Sequence, residues 1–156
     1  MFKFIPNNKS MIQTELEIMN SNSQFNLWST DKSVMEDADV LKEHEESEQL
    51  GSIRWIVQYW EDMIGLIDYL PENPKDGFPW IGLFVLHSDF QGRSLASSVY
   101  ALLEENLKSY GHTEIRLAIL EKNKPGIRFW EKQGFEKYSD GELDGRRIEK
   151  WRKELK

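Results

Sequence analysis

The run Phe84-Val85-Leu86-His87-Ser88-Asp89-Phe90-Gln91-Gly92-Arg93-Ser94-Leu95-Ala96-Ser97 decides how the rest of the chain is read. It is an apolar strand that passes through a tight polar turn into a helix whose first turn is built from small residues. The first amide N–H groups of such a helix lack intrahelical acceptors and sit at the positive end of its dipole, so they can receive an anion. Upstream, Pro79 through Leu86 is almost continuously apolar, which suits a strand at the centre of a sheet. Downstream, Leu95, Val99, Leu102, Leu103 and Leu107 share one stripe at helical spacing, with Gly111 as a stop. That helix is expected to pack on the sheet.

Further out, Phe2 to Pro6 reads as a first strand, and Ser10-Met11-Ile12-Gln13 has capping-box spacing for a helix ending near Asn20. A second capping box, Ser33-Val34-Met35-Glu36, opens a helix with Val34, Ala38 and Leu41 on one face, fading near Ser47. Ile53–Tyr59 and Met63–Tyr69 read as a hairpin reversing at Glu61-Asp62, before a Pro- and Gly-containing loop over 71–77. Thr113 to Leu120 is another strand. Asn123 then caps a short helix with Pro125 in its first turn, which runs to about Lys132 and closes at Gly134. Phe135–Tyr138 and Arg147–Trp151 read as final strands joined through Asp140-Gly141 and Asp144-Gly145 turns. The order β-α-α-β-β-β-α-β-α-β-β predicts an α/β domain with a mixed sheet and helices on both faces.

The 156 residues suit one domain, taken as 1–156, with enough apolar surface to form a core without staples. Hydrophobic residues at 39%, charged residues at 30% and a mean hydropathy of -0.62 indicate a globular chain. No apolar run approaches the roughly 20 residues that cross a bilayer. The N-terminal segment is too soon polar to be a signal peptide, so a cytoplasmic protein without a membrane partner is expected. With no cysteine, neither a thiol acyl carrier nor a thiolate metal ligand is available, and no metal site is expected. A net charge of -7 argues against nucleic acid as a partner. It also requires that any anionic ligand be held by local amides and a few cations, against the overall field.

Two segments, together spanning Trp80 to Tyr138, resemble the GNAT superfamily of acetyl-CoA-dependent N-acetyltransferases. Gln91, Gly92, Arg93, Ser94, Leu95 and Ala96 align with its Gln/Arg-x-x-Gly-x-Gly/Ala loop, with Ser94 in place of the usual Gly. Asn123-Lys124-Pro125-Gly126-Ile127-Arg128-Phe129-Trp130-Glu131-Lys132-Gln133-Gly134-Phe135 resembles its Asn-x-x-Ala-x-x-x-Tyr-x-x-x-Gly-Phe segment. Asn123, Gly134 and Phe135 match, while Gly126 replaces Ala and Trp130 replaces Tyr. The resemblance implies a single domain whose central sheet splays between the Trp80–Leu86 and Thr113–Leu120 strands. It implies acetyl-CoA as co-substrate, its pyrophosphate on the amides of Gly92 to Ser97 and its pantetheine along Phe84, Val85 and Leu86. Asn123 and Trp130 would lie near the end of pantetheine. An amine of a small molecule or peptide would attack the thioester directly in a ternary complex, with strand amides near Val85 polarising the carbonyl. A monomer or homodimer fits, the second through an exposed final strand ending at Trp151.

An indole can donate a hydrogen bond but cannot deliver a proton near neutral pH, so Trp130 cannot act as the phenol it replaces. Tyr100, Tyr110 and Tyr138 are the phenols in this half, the first two placed as packing residues by the helix pattern. For a base, Glu121 at the end of its strand and His87 after the central strand are the candidates, with Glu72 and Asp76 in the long loop behind them. His87 also suits a plain turn position. The acidic run Glu36, Asp37, Asp39, Glu43, Glu45, Glu46 and Glu48 is either a solvated helix face or an attractor for a cationic amine. Phe25, Trp28, Phe78 and Trp80 either line an acceptor pocket or pack in the core. The alternative function is a catalytically inactive acyl-CoA-binding or sensing module. An adenine-nucleotide enzyme is set aside because neither Gly-x-x-x-x-Gly-Lys-Ser/Thr nor Gly-x-Gly-x-x-Gly occurs.

Overall fold

A computed structural model describes residues 1–156. The elements run β1 (Phe2–Pro6), α1 (Ile12–Asn20), α2 (Ser23–Thr30), α3 (Asp37–Leu50), β2 (Ile53–Tyr59), β3 (Asp62–Leu70), β4 (Trp80–Leu86), α4 (Leu95–Ser109), β5 (Glu114–Leu120), α5 (Lys124–Lys132), β6 (Glu136–Leu143) and β7 (Arg146–Glu154). The seven strands form one sheet in the order β1-β2-β3-β4-β5-β7-β6. Every pairing is antiparallel except β4 with β5, which α4 connects as a crossover. No helix is long and apolar enough to cross a membrane.

Side-chain alternation along the strands divides the core in two. Val57 and Leu86 face the side covered by α4 and α5, where Val99, Leu103 and Leu107 are fully buried. Their chain neighbours Ile56 and Val85 face the other side, against Leu16, Ile18 and Met19 of α1 and Val40 of α3. The expected splay is present: β4 and β5 are paired at Trp80–Arg116 and Ile81–Leu117 and then part.

Five local expectations are corrected. Helix α2 is absent from the expected order, because Asn22 gives no side-chain cap and the segment Ser-Gln-Phe-Asn-Leu-Trp-Ser-Thr carries no repeating apolar stripe. Helix α3 is capped by Glu36 with Asp39, not by Ser33 with Glu36, which leaves Val34 outside the helix and 59% exposed. Asp140-Gly141 does not turn; β6 runs through it, pairing Asp140 with Glu149 and Gly141 with Ile148. Strand β7 is therefore interior, Trp151 is buried, and the exposed sheet edge at this end is β6. Near the start, Asn8 rather than Ser10 supplies the cap, accepting from the Ser10 N–H to open a 3-10 turn before α1.

Glu15 of α1 is fully buried and ties three elements together. It accepts from Arg54 Nη2 of β2 at 3.0 Å and Asn7 Nδ2 at 2.8 Å, and lies 3.0 Å from His44 Nε2 of α3. Arg54 in turn donates through Nε to Asp68 of β3 at 2.8 Å. Removing one member of such a buried set leaves uncompensated charge. Glu15→Ala is expected to lower the unfolding free energy by about 3–5 kcal/mol in urea denaturation, whereas exposed Glu17→Ala should change it by about 0.5 kcal/mol or less.

Candidate acyl-CoA and acceptor sites

The turn between β4 and α4 is held open by side chains from the α1–α2 corner. Gln91 Nε2 donates to the Leu86 carbonyl at 2.8 Å and to Asn22 Oδ1 at 2.7 Å. Asn22 Nδ2 donates to the same carbonyl at 3.0 Å, and the Ser88 N–H donates to Ser21 Oγ at 3.0 Å. Gly92 at φ +76° and Ser94 at φ +60° both take left-handed backbone. The position of Ser94 is thus one that favours glycine, and serine there costs roughly 1 kcal/mol. Its side chain makes no cap, which leaves the first amides of α4, from Leu95 through Ser97, without a side-chain acceptor from the cap residue. Arg93 lies over the Phe90 ring at 5.3 Å, the cation nearest this turn in sequence.

From this turn a cleft of about 640 Å³ runs along Phe84, Val85 and Leu86 to Asn123, Gly126 and Trp130. The β5-facing edge of β4 beyond Ile81 has no strand partner here, so its backbone groups can pair with an extended ligand. Asn123 Oδ1 accepts from the Gly126 N–H at 3.0 Å and caps α5, leaving its Nδ2 protons without a protein acceptor. A Cβ on Gly126 would stand 2.6 Å from Asn123 Nδ2 and 2.7 Å from Ile119 Cδ1. The alanine usual at this position does not fit with Asn123 in this pose.

Trp130 is 7% exposed and meets Phe84, Tyr100 and Phe135 edge-on, with ring centroids 5.2, 5.5 and 5.1 Å away. No tyrosine lines the cleft. Tyr100 donates to Glu104 at 3.1 Å, and burial pushes its phenol well above the usual range. Tyr138 lies between the guanidinium groups of Arg116 and Arg152, and Tyr110 stacks on Tyr69. No residue lining the cleft has a titratable side chain.

The sequence candidates for acid–base work lie elsewhere. His87 does not line the cleft; its Nδ1 accepts from the Asp89 N–H at 3.1 Å and starts a 3-10 turn. Glu121 does not line the cleft; with Arg147 it lines a neighbouring surface depression that shares Gln24 and Trp28 with the cleft. Asp76 accepts from the Phe78 N–H and from Trp80 Nε1 at 2.9 Å each, and Arg116 lies over Phe78 at 3.8 Å. These residues staple the loop over 71–79 to the sheet. Glu72 is exposed on that loop. Of the aromatic candidates, Phe25 and Trp28 line the cleft and Phe78 and Trp80 do not.

On the α1–α3 side of the splay lies a second cavity of about 270 Å³, whose walls include Met19, Asn26, Glu43, Asp68, Leu83 and Ile148. An 80 Å³ junction between β4 and β5, lined by Gly82, Phe84, Ala118 and Trp130 among others, lies between the two. Phe25 and Asn123 border all three spaces. Burial next to Glu15 and Asp68 pushes the Glu43 carboxyl up to about 7, with Arg54 opposing. Burial likewise raises Asp68, against the pull of Arg54. Asn26, Glu43 and Asp68 come from three elements and carry no joint motif. The one local signal was Asp68, an acid inside an otherwise apolar strand.

This splayed sheet, with a free strand edge leading to an amide-rich helix start, defines an acyl-CoA-binding fold. Residues 18–135 match the Acetyltransferase (GNAT) family model. The chain belongs to that family of acetyl-CoA-dependent acyltransferases. It is 32% identical over 83 residues to the spermine/spermidine N(1)-acetyltransferase of Bacillus subtilis strain 168, a match taking in 53% of each chain. The chain thus spans about half the length of the curated relatives it matches. An acetyltransferase from Thermus thermophilus superposes with a TM-score of 0.85 at 18% identity, covering 99% of this chain and 97% of that one. An acetyltransferase from Salmonella typhimurium that modifies the N-terminal serine of ribosomal protein L7/L12 gives 0.81 at 13% identity, covering 99% and 95%.

Gly92→Glu places a carboxylate on strained backbone where phosphate would lie, and calorimetric titration with acetyl-CoA should show at least about a 10-fold loss of affinity. Equal affinity would move the pyrophosphate away from this turn. Between pH 4.5 and about 7 the folded protein holds a proton on Glu43 that the unfolded chain has released, so this group's contribution to stability falls as pH rises through that window. Glu43→Gln abolishes the effect, and its melting temperature relative to wild type should therefore increase from pH 5 to pH 8. A constant difference would show that Glu43 ionises normally.

Proposed function

We propose that the protein transfers the acetyl group of acetyl-CoA to a primary amine of a small acceptor, by direct attack in a ternary complex within one domain. The observation that carries this reading is the meeting of the two cavities at Phe25 and Asn123, in the gap between β4 and β5. Acetyl-CoA supplies the activated acyl group. The chain's own part is to hold it: amides of Leu95 to Ser97 for the pyrophosphate, the free edge of Phe84 to Leu86 for pantetheine, and Asn123 near the thioester. Strand amides near Val85 would polarise the thioester carbonyl and stabilise the oxyanion formed on attack.

The amine approaches from the opposite side, through the cavity that holds Glu43 and Asp68. Its size favours a small aliphatic amine over a folded peptide terminus, and the likeness to spermine/spermidine acetyltransferases supports the same choice. No carboxylate, histidine or phenol lines the junction, so the ammonium proton leaves to water in the open cleft, and the departing thiolate is protonated there as well.

The test is an acetyl-transfer screen over amine classes with detection of free coenzyme A. Transfer to small amines, absent with peptides, is the expected result. Acetyl-CoA binding with no transfer to any amine would establish the inactive binding module instead. Trp130→Phe should weaken acetyl-CoA binding through lost ring contacts while leaving the pH dependence of kcat unchanged. A missing basic limb in that variant would give Trp130 a part in proton transfer.

A further inference from the structure

Asn26 is fully buried at the wall of the acceptor cavity, and half of its amide is committed. Its Nδ2 donates to the Met19 carbonyl at 2.8 Å, to the Ser33 carbonyl at 3.1 Å and to Asn20 Oδ1 at 3.3 Å. Those bonds fix the orientation of the amide, and its Oδ1 is left buried with no hydrogen-bond donor. Proteins rarely keep such an acceptor dry, so a donor belongs there.

The same cavity is short of positive charge. Arg54 is the one guanidinium among Glu15 at 3.0 Å, Asp68 at 2.8 Å and Glu43 at 3.8 Å, and His44 is engaged with Glu15. Arg146, the cation on the cavity wall, is already committed: its Nε donates to the Trp28 carbonyl at 2.9 Å and its Nη2 to Asp31 at 2.6 Å. The rest of the lining mixes the apolar side chains of Met19, Phe25, Leu83 and Ile148 with the hydroxyls of Ser29 and Thr30.

From this arrangement we propose that Asn26 Oδ1, Glu43 and Asp68 form a subsite for a second ammonium group, so that the acceptor is an aliphatic diamine or polyamine held by its far end. The assignment rests on the amine-acceptor reading given above. One ammonium at this end has a neutral acceptor and two carboxylates to meet its three N–H donors. A methylene chain lies along the apolar wall and brings the near amine to the gap at Phe25 and Asn123. A monoamine of equal length fills the wall but leaves the polar end unsatisfied, and that difference sets the selectivity.

The experiment is a calorimetric titration of the coenzyme A-saturated protein with butylamine, 1,4-diaminobutane and spermidine, paired with acetyl-transfer kinetics on the same amines. The diamine and spermidine should bind at least about 10-fold more tightly than butylamine in the wild-type protein. Glu43→Gln should remove that preference while leaving acetyl-CoA affinity unchanged. Equal binding of all three amines, as expected if Asn26 Oδ1 is met by a water only, would overturn the subsite, as would a preference that survives Glu43→Gln. Acetylation of butylamine as readily as of the diamines would leave amine transfer standing and remove the subsite. A diamine bound tightly through Glu43 yet never acetylated would leave the subsite and remove the transfer reading.

Discussion

The constraint on which the rest of the molecule depends is the parting of β4 from β5 after Ile81–Leu117. A physical cause lies one residue further along. The β3–β4 ladder pairs Tyr69 with Ile81 and Asp68 with Leu83, leaving Gly82 as an extra residue without a partner. Such a bulge bends its strand and increases the local twist, which here directs β4 away from β5. The rings of Phe84, Phe129 and Trp130 then occupy the α5 side of the gap, with Phe84 stacked on Phe129 at 5.7 Å. The opening costs strand hydrogen bonds, and side chains restore part of them: Gln91 and Asn22 both donate to the Leu86 carbonyl. The unrestored edge is the part that an extended ligand can use.

The two sides of the gap differ in electrostatics. The cleft toward α4 has no titratable lining, and the groups there that can receive an anion are helix amides inside a chain of net charge -7. Toward α3, carboxylates outnumber the single guanidinium that organises them. Of the acidic run on α3, Glu43 turns to the cavity, Asp39 is spent on the helix cap and on Lys32 at 2.6 Å, and the remaining five are solvent-exposed. The run is thus neither wholly a solvated face nor wholly an attractor. The two sides of one sheet thus differ in character, uncharged on the α4 side and rich in carboxyl groups on the α3 side.

What the sequence made legible follows from how local each feature is. The turn from Gln91 to Ala96 and the segment from Asn123 to Phe135 are contiguous, because a helix start and its cap are made by neighbouring residues. The apolar strands and α4 were legible for the same reason, each carrying its own periodicity. The cavity on the α1–α3 side draws on Met19, Asn26, Glu43, Asp68 and Ile148, which only the tertiary fold brings together. Helix α2 escaped notice because tertiary contacts, not a cap or a stripe, hold it: Asn26 anchors it to α1 through the Met19 carbonyl and to the loop before α3 through the Ser33 carbonyl. The turn expected at Asp140-Gly141 failed because pairing with β7 outweighed a weak local turn signal.

Asn26 shows why fold and site are hard to separate here. A hydrophobic residue at that position could fill the space, but it would leave the Met19 and Ser33 carbonyls short of a donor and loosen α2 from α1. An aspartate would offer acceptors to the cavity and lose the donors that hold the helix. Only a primary amide supplies donors on one side and an acceptor on the other, and glutamine, one methylene longer, would not keep both in register within a close-packed interior. The anchoring of α2 and the unpartnered oxygen buried at the cavity wall are therefore set by a single side chain.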